Sequence, residues 1–279
     1  NNLADNKNLV IDTTPPEILM ITSDKSDGRY GAGETIDVDL TFTEPVTLAS
    51  GTMVLSLNSG GSVTVSEFGI LSATASGNYV IGATDETSGT RLNVSTVTLN
   101  GTLSDAVGNT QASAGTPAGN NLADNNNIVV DTTVPEILSI DTGKANGRYT
   151  EGEVIDVDLT FSEQVTLSGG SMVLSLNSGG SVTVSAFGTP STTATGNYTV
   201  GSIDSTGASY LTVTGIGGAG TVRDVATNAL DETLPTNNNL GDNAEIIIDT
   251  TDPVIASISS DKANGRYTEG EVIDVDLTF

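Results

Sequence analysis

The residues best suited to chemistry in this sequence are carboxylates and amides that return at a fixed spacing. They form two sets of four and the beginning of a third: Asp12, Glu44, Asp105 and Asn109; Asp131, Glu163, Asp224 and Asn228; and Asp249. Oxygen donors of this kind are the ligands that calcium prefers, at about 6–8 per ion. Asp and Asn are also common in polar turns that bind nothing. The fold must bring each set together before calcium binding becomes the better interpretation.

The overall charge restricts the partners of this chain. It carries 35 Asp and Glu against 9 Lys and Arg, for a formal net charge of −26. Nucleic acids are bound through Lys and Arg contacts to phosphate, and anionic membrane surfaces repel an acidic chain, so we expect neither partner. The sequence also has no run near the ~18 apolar residues that a membrane span needs, so we expect no membrane insertion. Cations are the partners that this charge favours.

The missing residue types argue against an enzyme. The chain contains no His, Cys or Trp. Without His, a Ser-His-Asp arrangement is impossible within the chain, and without Cys there is no thiol nucleophile, thiolate metal site or disulfide. Pairs of carboxylates can hydrolyse glycosides, but no acidic pair stands beside an aromatic platform for a sugar. We therefore predict that the chain is not an enzyme.

An internal repeat organises the whole chain. The phrase Asp-Thr-Thr starts at positions 12, 131 and 249, so the intervals are 119 (131 − 12) and 118 (249 − 131) residues. The string KANGRYTEGEVIDVDLTF occupies both 144–161 and 262–279. The phase predicts four segments: the last strand of a preceding repeat (1–11), repeat 1 (12–130), repeat 2 (131–248) and the truncated start of repeat 3 (249–279). We expect the chain to be a window onto a longer array.

Alternation of apolar and polar residues predicts short β-strands. Ile36, Val38, Leu40 and Phe42 alternate with polar residues, which is typical of a strand with one buried face. The segment Asn58–Gly61 indicates a tight turn between two more such strands. Short strands at this spacing predict an all-β chain of tandem Greek-key β-sandwiches, with a closed barrel as the alternative. A short Pro-containing join between repeats favours a semi-rigid, elongated array.

Several motifs at the repeat period resemble those of a known family. They are the linker Asp-Thr-Thr-x-Pro, the phrases Phe42–Val46 and Phe161–Val165, and the turn Asp105–Asn109. Together they resemble the bacterial Ig-like repeats of giant surface and secreted adhesins, including cadherin-like and flagellar-system-associated repeat proteins. The resemblance covers essentially the whole chain. It implies tandem immunoglobulin-like β-sandwiches exported to the bacterial surface, often rigidified by calcium at their junctions.

The sandwich topology indicates where calcium would bind. If the first strand follows the linker, three features meet at one pole: the linker Asp, the loop after the second strand and the turn before the last strand. The four residues of each set would then converge, with carbonyls and water completing the coordination. The opposite pole of the preceding repeat could add further acidic side chains: Asp24, Asp27, Glu34 or Asp85.

Two further motifs admit both a structural and a functional interpretation. Asp37 and Asp39 resemble a metal-binding DxD pair, but alternation places both on the wet face of a strand, where they would discourage edge-to-edge aggregation. The tripeptide Asn146–Arg148, which is Asp27–Arg29 in repeat 1, matches a receptor-binding motif. A polar glycine turn explains the same tripeptide without a ligand.

These observations favour a mechanical spacer, or stalk, of a large extracellular bacterial adhesin, with calcium at the junctions and the neighbouring repeats as partners. Near-identical copies favour a spacer because a spacer needs length more than individuality. The alternative is a subunit of an extracellular filament, sheath or surface layer, which would also contact other copies of the chain. A third hypothesis is a glycan- or protein-binding module that uses the loops at 83–90 and 202–209. In each case the expected location is the bacterial cell surface.

Overall fold

A computed structural model describes residues 10–111 and 113–279 and shows an all-β protein. Most strand pairs are antiparallel, and the helical residues described form single turns of four residues. The all-β prediction is therefore confirmed. The strand predicted at 1–11 lies outside the described residues except for Val10 and Ile11, which are exposed and belong to no strand.

The elements from residue 18 to residue 130 form one unit with its own apolar core. They are β1 (Ile18–Thr22), β2 (Gly28–Tyr30), β3 (Thr35–Ala49), β4 (Met53–Leu57), β5 (Ser62–Val65), β6 (Phe68–Val80), β7 (Val94–Leu99), β8 (Thr102–Asp105), β9 (Thr110–Gln111), α1 (Leu122–Asn125) and β10 (Ile128–Val130). The buried apolar side chains between Ile18 and Val130 belong to a single cluster. This unit falls within the segment that the sequence assigns to repeat 1.

The elements from residue 137 to residue 248 repeat this order around a second core. They are β11 (Ile137–Asp141), β12 (Gly147–Tyr149), β13 (Val154–Ser168), β14 (Met172–Leu176), β15 (Ser181–Val184), β16 (Phe187–Thr199), β17 (Val213–Gly218), β18 (Thr221–Asp224), α2 (Leu240–Asn243) and β19 (Ile246–Ile248). The counterpart of β9 is a single bridge between Arg223 and Ala229. We call the two units repeat 1 and repeat 2 from here on.

The longest strands, β3 and β13, organise both units. In β3 the inward residues Ile36, Val38 and Leu40 are fully buried, so the alternation expected from the sequence is confirmed. The first part of β3 pairs with β1 and β6, and its last residues pair with β8. One strand therefore passes through the whole unit and links the start of the repeat to the turn after β8.

The position of Glu44 differs from the prediction. The sequence placed Glu44 in a loop after a strand, but the structure keeps it inside β3, which continues through Pro45 to Ala49. Pro45 is tolerated because the pairing with β6 shifts register between Thr41 and Val46, where no ladder hydrogen bond is needed from its nitrogen. Glu163 lies at the same bend of β13, so the loop prediction is wrong for both residues.

A second layer of strands closes each core. In repeat 1, β4 pairs with β5 and β7, and the predicted turn at Asn58–Gly61 connects β4 to β5. In repeat 2, a bridge between Thr183 and Asn197 joins the equivalent strands to β16, so that one curled sheet of seven strands results.

Each core contains a buried tyrosine with a bonded hydroxyl group. The Tyr79 hydroxyl donates to Asp85 (2.7 Å) and lies 2.9 Å from the Ser59 hydroxyl. Tyr198, Asp204 and Ser178 repeat this arrangement in repeat 2. A buried hydroxyl needs such partners because an unpaired polar group is costly to bury. The side chain of Asp85, which the sequence analysis proposed as a possible ligand at a repeat junction, therefore stabilises the core of its own repeat.

The last strand of each repeat returns to the beginning of that repeat. Strand β10 pairs with β2 in parallel, with Val129 opposite Arg29. The single turn α1 precedes β10, and Asn121 caps it in a capping box with Asp124. Because of this pairing, the residues that follow β10 leave repeat 1 next to Arg29.

The segment 249–279 forms only a hairpin of β20 (Ser257–Ser259) and β21 (Asp276–Thr278). Its apolar residues are exposed, for example Ile258 at 66%, whereas the equivalent Ile140 is fully buried. The described residues of this segment include no counterparts of β14 to β19 that would cover them.

Candidate functional site

The structure brings three carboxylates of the first predicted set together. Asp12, Glu44 and Asp105 each offer an oxygen atom within 4.8 Å of the others. Asp12 lies in the segment before β1, Glu44 at the bend of β3, and Asp105 at the end of β8. Because β3 pairs with both β1 and β8, the fold itself determines this meeting point. We call these three residues the first acidic cluster.

Three carboxylates of the second set meet in the same way. Asp131, Glu163 and Asp224 have oxygen atoms within 4.8 Å of one another and form the second acidic cluster. Asp131 and Asp224 are both 5% exposed. Asp249, which begins the third set, has no such companions within residues 249–279, since its counterparts of Glu163 and Asp224 would follow residue 279.

The two asparagines of the sets brace the turn after β8 or β18. The Asn109 amide nitrogen donates to Asp105 Oδ2 (2.7 Å) and to the Asp12 carbonyl oxygen (3.3 Å). Asn228 does the same with Asp224 (2.8 Å) and the Asp131 carbonyl oxygen (3.0 Å). Through the two hydrogen bonds of its Nδ2 atom, each asparagine therefore joins the linker aspartate to the turn.

Arg29, which the sequence analysis named only as part of a tripeptide motif, contacts the second cluster. Its Nη1 atom lies 2.9 Å from Asp131 Oδ2, across the junction of the two repeats. Arg148 makes the same 2.9 Å contact with Asp249. The signal in the sequence was the recurrence of Arg in the phrase Gly-Arg-Tyr, which stands in β2 and β12 and not in a free turn. Of the two interpretations of the tripeptide, a ligand-free structural role agrees with this geometry.

Other residues of repeat 1 also reach the linker. The Glu86 carboxylate accepts from the Thr132 backbone amide (3.0 Å), and the Thr132 hydroxyl donates to the Asp85 carbonyl oxygen (3.0 Å). Glu86, Arg29, Asp131 and Glu163 line a cleft of about 300 Å³ at the junction. Repeat 2 has Ser205 in place of Glu86, so this fourth carboxylate is specific to the first junction.

The two clusters differ in how their surroundings shift the pKa of a carboxyl group. Burial would raise the pKa of Asp105, but hydrogen bonds from Asn109, Val107 and Gly108 outweigh it and hold the pKa below its usual value. In the second cluster, burial and the charges of Asp131 and Asp224 raise the pKa of Glu163 to about 7, and the guanidinium of Arg29 opposes this only in part. The second cluster thus carries more negative charge than the single arginine beside it can neutralise.

The spacing of the first cluster is compatible with a calcium ion. Calcium binds oxygen atoms at about 2.3–2.6 Å, so ligands on opposite sides of one ion lie about 5 Å apart. The three carboxylate oxygens all lie within 4.8 Å of one another and so do not exceed that separation. In the second cluster one Asp131 oxygen already contacts Arg29, so fewer oxygens are free for a metal ion.

Two other acidic side chains that the sequence singled out, Asp37 and Asp27, make hydrogen bonds within repeat 1. Asp37 accepts from the Asp24 backbone amide (2.7 Å) and so fastens the turn between β1 and β2. Asp24, Asp37 and Asp39 form a further acidic group, which recurs as Asp261, Asp274 and Asp276 but not in repeat 2, where Gly143 replaces Asp24. Asp27 accepts from the Asn127 amide (2.8 Å), next to β10. Among the described residues, no helix is long and apolar enough to span a membrane.

Comparisons with known proteins leave the family of this chain open. No family model matches the sequence, and no curated protein matches it. A DUF4785 family protein from Legionella pneumophila is similar at 9% identity over 80% of this chain and 56% of that chain, with a TM-score of 0.27. Domains 4–9 of the surface layer protein SbsC are similar at 13% identity over 88% of this chain and 33% of that chain, with a TM-score of 0.19. At these TM-scores neither likeness defines a fold family or a function.

Proposed function

We propose that this chain is part of the stalk of a large extracellular bacterial adhesin, built from Ig-like Greek-key β-sandwiches of about 119 residues in an elongated array. Its role is mechanical and not catalytic, and its partners are the adjoining repeats. The observation that carries the proposal is the join between the repeats. Thr132 is bonded to the loop at Asp85 and Glu86 on one side, and Asn228 holds the Asp131 carbonyl oxygen on the other. A join fastened to both repeats transmits orientation, which a spacer requires.

We further propose that calcium stiffens the array at the acidic clusters. Asp12, Glu44 and Asp105 would hold the ion at the first cluster, and the bound ion would neutralise their mutual repulsion. Binding there ties the segment before β1 to the bend of β3 and the turn after β8. We expect the first cluster to bind calcium more tightly than the second, where Arg29 already offsets part of the charge.

The test is calorimetric titration and thermal melting of the full chain with calcium and with a chelator, together with small-angle scattering. Calcium at 100 times its Kd should stabilise the folded chain by about 2.7 kcal/mol per site. Glu44→Gln should weaken binding because it removes one ligand, whereas Glu67→Gln, an exposed residue of repeat 1, is the matched control. An unchanged melting temperature and scattering curve in calcium would mean that the carboxylates serve solubility alone.

A second candidate function is a subunit of an extracellular filament or surface layer. An exposed apolar groove on repeat 1 favours it, since Ile70 is 84% exposed and Leu71 46% exposed beside Phe68. Repeat 2 has Thr189 and Pro190 at the equivalent positions. Sedimentation velocity of the full chain separates the two functions. A stalk stays monomeric, whereas a filament subunit associates laterally and loses association in Ile70→Thr.

A further inference from the structure

A close backbone contact joins the two repeats beside the charged cluster. Gly31, the residue after β2, is buried against the turn after β18. A Cβ atom at Gly31 would lie 2.8 Å from the Ala226 carbonyl oxygen and 3.1 Å from Asn228 Oδ1. Real side chains essentially never approach backbone so closely. Any larger residue at position 31 would therefore push repeat 2 away from repeat 1.

The restriction at position 31 comes from the neighbouring repeat and not from the conformation of Gly31. Its φ lies outside the left-handed region that favours glycine. In repeat 2 the equivalent residue is Thr150, and it forms the same turn: Thr150 N donates to Glu153, as Gly31 N donates to Glu34. A threonine side chain is thus compatible with the repeat itself, and Thr150 is exposed.

The other side of the contact shows the same adjustment of size. Ala226 is 1% exposed and its carbonyl oxygen lies beside Gly31 of repeat 1, whereas its counterpart Val107 is 65% exposed. At each of these two positions, the smaller residue of the pair, Gly31 or Ala226, lies where the repeats meet. At the equivalent positions that face no repeat in the described chain, the residues are Thr150 and Val107.

The salt bridge does not explain this difference. Arg29 with Asp131 and Arg148 with Asp249 have the same 2.9 Å separation, although the residue two positions after the arginine is Gly31 in one case and Thr150 in the other. The guanidinium contact is therefore the same whether glycine or threonine follows it.

We propose that Gly31 and Ala226 form a size-matched contact that docks repeat 2 directly onto repeat 1 and makes the two a single rigid body. A threonine or valine at these positions holds neighbouring repeats further apart. The array then contains closed and open junctions, and the identity of two residues decides which kind forms. The inference rests on the proposed stalk only in that it concerns repeats joined in series, and it requires no metal ion.

The test exchanges residues between the repeats in the full chain, with a chelator present throughout. Gly31→Thr and Ala226→Val place at the junction the residues that the other repeat carries. Thr150→Gly and Val107→Ala are the matched controls, since they make the reverse changes away from the junction. Differential scanning calorimetry reports whether the repeats unfold together, and small-angle scattering reports the maximum dimension and flexibility.

We expect one cooperative transition for repeats 1 and 2 in the wild type and in both controls. Gly31→Thr and Ala226→Val should split it into two transitions and give a longer, more flexible particle. The proposal is overturned if both junction variants keep a single transition and the wild-type scattering curve, if the wild-type repeats already melt independently, or if Gly31→Thr unfolds repeat 1 itself. Failure of the stalk proposal would appear differently, as lateral association of the wild type whatever residue stands at position 31.

Discussion

Arg29 and Arg148 make the same contact in different surroundings, so they offer a controlled comparison of one interaction. Both Nη1 atoms lie 2.9 Å from an aspartate oxygen. The Asp131 side chain is 7% exposed and that of Asp249 is 40% exposed. Arg29 also faces Glu163, whose charge it partly offsets. We predict that Arg29→Gln destabilises the chain clearly more than Arg148→Gln.

The expected magnitude lies between two known limits. An ion pair between exposed side chains contributes about 0.2–1 kcal/mol, and removing one partner of a buried pair costs about 3–5 kcal/mol. Arg29 is itself 43% exposed, so water would replace part of its contact with Asp131. We therefore expect a loss of about 1–2 kcal/mol for Arg29→Gln and no more than about 0.5 kcal/mol for Arg148→Gln, where both partners are accessible to water.

The assay is equilibrium unfolding in denaturant at low and high salt, with a chelator present. Asp131→Asn should cost less than Arg29→Gln because it also removes a charge that repels Glu163 and Asp224. The double variant should recover part of the Arg29→Gln loss, since the carboxylate left without a partner is then absent. Equal losses at positions 29 and 148, or strictly additive losses in the double variant, would refute the reasoning.

Two further predictions concern the buried tyrosines. Burial, opposed by the Ser178 hydroxyl and reinforced by Asp204, raises the pKa of Tyr198 from 10.0 to about 12. The folded chain thus holds this proton more tightly than the unfolded chain, so the related stability is complete below about pH 10 and is lost as the pH rises towards 12. Tyrosinate absorbance recorded with far-ultraviolet circular dichroism should show Tyr198 ionising together with unfolding, and Tyr198→Phe should remove this step. A Cβ atom at Gly180 would overlap the Tyr198 ring, so Gly180→Ala should destabilise repeat 2 by about 1–3 kcal/mol, while Gly188→Ala, with open space around it, should not. Thermal melting of both variants checks this, and equal melting temperatures would contradict it.

Local patterns were sufficient to predict the strands and the composition of the acidic clusters. Alternation in 36–42 identified the buried face of β3 because each inward residue is aliphatic. Repetition then identified Asp12, Glu44 and Asp105 as equivalents of Asp131, Glu163 and Asp224, and the pairing of β3 with β1 and β8 brings the first three together. The bends at Glu44 and Glu163 were misassigned because local alternation does not reveal a register shift that bends a strand without ending it.

The contacts between repeats could not be predicted in the same way. Arg29 reaches Asp131 only because β2 pairs in parallel with β10, about 100 residues later, and no local pattern encodes that pairing. Gly31 resembles any glycine of a polar turn until the neighbouring backbone is seen to touch it. The structural roles of Arg29 and Gly31 depend on residues across the junction. Those residues lie far away in the sequence, so a local pattern in one repeat does not reveal either role.

The parallel pairing of β2 with β10 also determines how a repeat would respond to tension along the chain. The ladder runs from the Gly28 amide, which donates to Asn127 (3.1 Å), to the Asp131 amide, which donates to Tyr30 (3.0 Å). The two strands are parallel neighbours, but β2 lies near the start of the repeat's sequence and β10 at its end. Tension on the two ends of the repeat therefore pulls these strands past each other along their length. The hydrogen bonds then share the load and must break together, whereas bonds at the open end of an antiparallel hairpin break one after another. Each repeat would thus resist extension through the strand that leads directly into the next repeat.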